Sequence, residues 1–158
     1  MSVWRLIVHH HDADAALDWS RRSRRLAVGW GAVGDLRRMK AAGSKDIAAA
    51  IRDKYPDLDN SGHGGASLWN LYACVEEGDL VILGDGATRR LVMEVKGPYE
   101  WVACPADGPG GDYQHQRAAV HTDLDPDEVW IKAGARFAKG QNPRWTLSMC
   151  GANREDGI

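Results

Sequence analysis

Apolar and polar residues alternate from Trp4 to His9, the period of a strand with one buried face. Asp12 then stands where a helix cap is needed. Ala15, Ala16 and Trp19 are spaced for one face of a helix reaching about Arg22. Leu26–Trp30 is short and apolar and predicts a buried strand, after which Gly29, Gly31 and Gly34 predict a loop with close backbone approach. Ser44 is placed to cap a second helix over 45–55, ended by Pro56. Residues 57–65 read as a flexible glycine-rich loop, followed by a short helix over 67–74. Glu77-Gly78-Asp79 turns into a strand over 80–83. Gly84-Asp85-Gly86 then makes a hairpin into a strand over 90–96. Gly97-Pro98 is expected to break that strand, with 99–102 extending the sheet. Residues 104–112 read as loop, 114–122 as a strand, Asp125-Pro126 as a helix start, 144–149 as a closing strand and 151–158 as a frayed tail. Mixed strands and helices with central hairpins predict one α+β domain over 1–150, with a small curved sheet or open barrel.

Composition narrows the class. The 158 residues are 44% hydrophobic and 27% charged, as in a globular domain, and no apolar run is long enough for a membrane span. The start of the chain has no signal-peptide pattern. Cys74, Cys104 and Cys150 are far apart and odd in number, which fits a reducing, cytoplasmic setting better than a disulfide framework. His9-His10-His11 looks like a metal tract but continues a strand and reads as its end running into a turn.

Net charge is −2, which argues against polybasic nucleic-acid binding. The charge is unevenly placed. Residues 19–54 hold ten basic against three acidic residues, +7, whereas residues 55–130 hold four against fourteen, −10. Seven Trp and four Tyr stand beside a single Phe. Trp suits both a core and a stacking surface for a planar ligand.

Phosphate-loop, dinucleotide-binding, zinc and serine-hydrolase motifs are absent, so no metal or cofactor is expected. One catalytic pattern is present. Asp79, then Glu94-Val-Lys96 across a hairpin, resembles the core of PD-(D/E)xK nucleases, in which two carboxylates hold Mg²⁺ and a lysine assists the attacking water. No helix signal follows Lys96. This nuclease is the alternative to a non-enzymatic role.

A second set of segments covers more of the chain. Leu26-Ala-Val-Gly29-Trp30-Gly31 through Asp35-Leu36 comes first, then Leu68-Trp69-Asn70-Leu71, then Gly78-Asp79-Leu-Val-Ile. Leu91-Val-Met-Glu-Val-Lys-Gly97-Pro98-Tyr99-Glu-Trp101 and Tyr113-Gln-His115-Gln-Arg117-Ala-Ala-Val120 follow. In this order, over about residues 3–121, they resemble the PUA-like superfamily. The nearest resemblance is to EVE- and YTH-type modified-base readers and the related modules of modification-dependent restriction systems, which act in phage defence. Two departures are His121, where the family often has Trp, and Lys96, where it tends to carry a small or hydroxyl residue.

The resemblance implies a curved mixed sheet with flanking helices and a pocket that takes an extruded base between aromatic side chains. Flat faces and a few edge-reading polar groups are what such a base requires. The candidate pocket residues are Trp30, Gly31, Asp35, Trp69, Tyr99 and Trp101. Core packing is an equal reading for Trp30 and Trp69, and a helix N-cap for Asp35. Arg21, Arg24, Arg25, Arg37 and Arg38 flank the strand bearing Trp30 and are candidate phosphate contacts, with Arg117 added by the resemblance. The expected partner is nucleic acid, modified DNA before modified RNA, with a nuclease or NTPase as a possible effector and no membrane.

Overall fold

In the computed structural model, residues 1–8, 12–103 and 112–151 are described. The predicted histidine turn (9–11), the bulk of the 104–112 loop and nearly all of the tail lie outside them. The chain is α+β, with a six-stranded mixed sheet that does not close into a barrel.

Strand β1 is Val3–Ile7 and β2 is Arg25–Val28, joined by α1, Ala13–Ser23. Asp12 caps α1 through Ala15 N, as its position predicts. After β2 come a 3-10 turn, Gly31–Val33, and the helices α2, Leu36–Met39, α3, Ser44–Lys54, and α4, Ser61–Trp69. The α4 helix runs on into a π-helical turn, Asn70–Cys74. Strands β3, Leu80–Gly84, β4, Arg89–Trp101, and β5, His115–His121, follow. Helix α5, Pro126–Lys132, and β6, Leu147–Cys150, complete the described chain. The strand order is β2-β5-β4-β3-β1-β6, with β1 parallel to β3 and every other pair antiparallel.

One sheet face carries the main core. Trp4, Leu6, Val81, Leu83, Met93, Val95 and Ala119 pack there against α1, α3, α4 and the π-helical turn. The other face is covered in part by α5, where Leu80, Ile82 and Val92 meet Val129.

Three expectations are corrected. The predicted loop 57–65 is helical from Ser61 on, because its glycines let α4 lie against α3. A Cβ on Gly65 would sit 2.6 Å from the Ser44 carbonyl oxygen and 2.8 Å from Ala48 Cβ. Ser44 does not cap α3; it is the first helical residue, and Asp46 accepts from Ala42 N instead. Gly97-Pro98 does not break β4. Val95 pairs with Ala119 and Tyr99 with Arg117, so β4 spends four residues where β5 spends two. The two extra residues form a bulge, and an even insertion keeps inward and outward positions in phase on both sides. Pro98 is exposed and needs no ladder partner there.

Candidate nucleic-acid interface

A cavity of about 280 Å³ opens at one end of the sheet. Its walls come from Ile7 and Val8 after β1, Thr146 before β6, Gly29 and Trp30 after β2, and Tyr55, Asn60 and His63 around α3 and α4. Leu58, Asp112, Tyr113 and Arg144 complete it. In the sheet order β2 and β1 are four strands apart, about 19 Å if the sheet were flat. Both reach one small cavity, so the sheet curls strongly at this end.

Trp30 is the pivot. It follows β2 with φ 61, a left-handed conformation that costs a non-glycine residue energy and must be held by its surroundings. A buried chain of hydrogen bonds holds it. The Trp30 carbonyl lies 3.0 Å from His115 Nε2, and His115 Nδ1 lies 2.7 Å from the Tyr99 hydroxyl. Leu36 N donates to that same hydroxyl at 3.1 Å. A carbonyl only accepts, so Nε2 carries the proton, Nδ1 accepts from Tyr99, and Tyr99 accepts from Leu36. Burial pushes the His115 ring down to about 4, so it is neutral near pH 7. Burial also holds the Tyr99 hydroxyl well above its usual range, which keeps its proton. The segment 30–36 is thereby tied to β4 and β5.

The other aromatic wall is Tyr55. Its hydroxyl donates to the Asp112 carboxylate, 2.8–2.9 Å away, and accepts from Ala32 N at 3.0 Å. Desolvation first, and then the nearby carboxylate, push its pKa up to about 12. Gly31 N donates to the Asp112 carbonyl, so one residue anchors both sides of the turn. A Cβ on Gly64 would lie 2.8 Å from the Trp30 indole, so glycine there lets the ring settle against α4. Asn60 stands at the start of α4 yet makes no side-chain cap, and its Oδ1 is buried without a hydrogen-bond partner. Aromatic faces, an uncommitted acceptor and an exposed arginine, Arg144, thus surround one opening.

Of the six residues expected in a base pocket, Trp30 alone lines the cavity. Gly31 packs on Gln114 and Asp112 beside it. Asp35 caps α2 and pairs with Arg37, which holds its carboxyl below the usual range. Tyr99 is buried in the network just described. Trp69, Tyr72 and Tyr99 form edge-to-face contacts at 6.3 and 5.2 Å and belong to the core, as does much of Trp101.

The arginines are scattered. Arg21 pairs with Asp18, and Arg25 with Glu100. Arg24 and Arg25 stand at the far end of β2, about 16 Å of strand from Trp30. Arg37 and Arg38 are exposed on α2. Arg117 is 5% exposed and donates to the carbonyls of Leu71, Gly97 and Tyr72. It satisfies the π-helical turn and the β4 bulge from within and is not placed to meet a phosphate. Sequence reasoning missed Tyr55, Asn60, His63, Asp112 and Arg144. Tyr113 stood in the motif ending at Val120 but was not singled out.

The nuclease pattern does not assemble. Glu94 is opposite Leu80, so it shares the face of Leu80, whereas Asp79 shares the face of Val81. The two carboxylates therefore lie on opposite sides of the sheet. Asp79 is 2% exposed and accepts from Ser2 N, Trp4 Nε1 and Glu76 N, while Glu94 pairs with Lys96. Among the described residues, no three His, Cys, Asp or Glu side chains gather to hold a metal ion, and no helix is long and apolar enough to cross a membrane.

A family model described as a domain of unknown function (DUF8426) matches residues 4–123. No curated protein and no solved structure matches the chain.

Proposed function

The chain belongs to the DUF8426 family, and we propose that it is a PUA-like, cytoplasmic reader that binds nucleic acid by taking one extruded, methylated base into the cavity beside Trp30. Modified DNA is favoured over modified RNA, since the sequence resemblance runs to restriction-type modules. The domain binds without catalysis, and any cleavage would come from a nuclease or NTPase partner or fused domain.

The observation that carries this reading is the cavity itself. Trp30, Tyr55 and Tyr113 supply flat faces, Ile7, Val8 and Leu58 apolar surface for a methyl group, and Asn60 Oδ1 an acceptor for a ring or exocyclic N–H. Stacking contributes about 1–3 kcal/mol per base, comparable to the cost of extrusion. A buried methyl adds about 1 kcal/mol, so shape must supply much of the discrimination. With net charge −2, non-specific attraction is weak and the pocket must supply the affinity.

Fluorescence anisotropy with methylated, hydroxymethylated and unmodified DNA and RNA oligonucleotides at fixed salt tests the reading. Trp30→Ala should weaken the preferred modified oligonucleotide by about tenfold or more and the plain one far less. Trp69→Phe, outside the cavity, should change neither. Equal losses on both oligonucleotides would overturn the pocket assignment.

A further inference from the structure

A second cleft, sharing no residue with the first, lies on the α5 face of the sheet. It has a volume of about 140 Å³ and is bounded by Arg5 of β1, the β3–β4 hairpin, Arg89, Trp130 of α5 and Phe137. The two guanidinium groups rest on the two rings, Arg5 Cζ 4.8 Å from the Phe137 centroid and Arg89 Cζ 5.2 Å from that of Trp130. The rings touch each other at 5.3 Å. Gly84, Gly86 and Ala87 add small-residue lining to the cleft.

Charges here are unevenly committed. Asp85 accepts from Ala87 N, Thr88 N and Thr88 Oγ1, and also lies 3.5 Å from Arg90. Asp127 pairs with Arg89 at 2.6 Å. Arg5 has no carboxylate within ion-pair distance among the described residues. Its Nη2 donates to two neutral carbonyls, Pro143 and Trp145, at 2.8 Å, and its Nε is buried with no acceptor. A half-buried cation without a counter-ion, with a donor unspent, is costly unless something anionic arrives.

We propose that this cleft binds a small organic carboxylate, its charge on Arg5 and its apolar body against the wall formed by Trp130 and Phe137. A carboxylate suits a site with few donors and aromatic walls. Phosphate carries more charge and needs more donors to replace its water.

The arginine Nε–H resonances of the folded protein, titrated with sodium benzoate at constant ionic strength, test this directly. Benzoate should shift the Arg5 Nε–H signal saturably, and acetate should bind more weakly. Loss of a charge-assisted contact should weaken benzoate by about tenfold in Arg5→Gln. Arg89→Gln, which removes a cleft-lining cation resting on Trp130 together with its exposed pair to Asp127, should weaken it by about threefold. If Arg5→Gln does not fold, the wild-type Arg5 signal and Arg89→Gln decide. A shift that is linear and equal to that with chloride would overturn the site. So would benzoate binding that Arg89→Gln leaves unchanged. Inorganic phosphate binding more tightly than benzoate would overturn the ligand class.

Discussion

Replacing Tyr99 by Phe removes one oxygen and nothing else, yet that oxygen joins three elements. The hydroxyl accepts from Leu36 N and donates to His115 Nδ1, both inside a core in which Tyr99 is 4% exposed and His115 0%. The ring stays, so little apolar contact is lost. Two buried polar groups are left without partners, at about 1–3 kcal/mol each, and partial relaxation brings the expected loss to about 2–4 kcal/mol. With a urea m-value of about 2 kcal/mol/M, the unfolding midpoint should fall by about 1–2 M with the slope unchanged. Hydrogen exchange should accelerate most in residues 30–36, which the oxygen ties to the sheet. In a His115→Leu background, where one of the two orphans no longer exists, the same change should cost about 1 kcal/mol less. A midpoint shift below about 0.3 M would refute the buried-network argument. So would an identical cost in both backgrounds.

Other expectations follow from the same geometry. The His115 pKa is about 4 folded against 6.5 in the unfolded chain, so its contribution is fully present above about pH 6.5 and drains away as pH falls toward 4. The loss reaches about 3 kcal/mol, and ring nitrogen NMR at pH 5 should still show the neutral Nε2–H tautomer. Arg117→Met leaves the Leu71, Gly97 and Tyr72 carbonyls unpaired and should destabilise by about 2–4 kcal/mol in urea. It should leave the salt dependence of oligonucleotide binding unchanged, whereas a slope shallower by about one unit would restore a phosphate role. Gly65→Ala should lower the thermal midpoint because its Cβ meets the Ser44 carbonyl, overpacking by about 1–3 kcal/mol. On the same helix Gly62 has open space around it, and Gly62→Ala should stabilise by up to about 1 kcal/mol.

Local chemistry made much of the fold legible. Alternation placed β1, the Gly84-Asp85-Gly86 turn placed the hairpin, and Asp12 and Asp125 capped the helices they precede. Misreadings arose where tertiary contact overrides propensity. Gly64 and Gly65 weaken a helix alone but permit its packing against Trp30, Ile51 and Ala48. Gly97-Pro98 looks like a stop until the bulge gives Pro98 a place where no N–H is required. For the candidate site, the glycine-flanked turn at Trp30 was visible. The rest of the wall comes from four separate stretches of chain, joined only by the curl of the sheet. Arg117 and Asp79 carried charge in promising motifs, but a motif does not say which side of a strand a carboxylate takes or how deep a guanidinium lies.

Strand β1 has consequences for how the chain reaches this state. Its two neighbours are β3, residues 80–84, and β6, residues 147–150. Strand β1 thus waits for a partner some seventy-five residues later, and for a second near the end of the described chain. Such distant pairings slow folding, since loop closure must be met before any contact repays it. During synthesis β1 is an unpaired apolar ribbon bearing Trp4 and Leu6, the kind of segment that seeks other chains. A version cut before Leu147 would leave β1 permanently open along one edge, and it should collect in inclusion bodies even though every residue that lines the cavity is present.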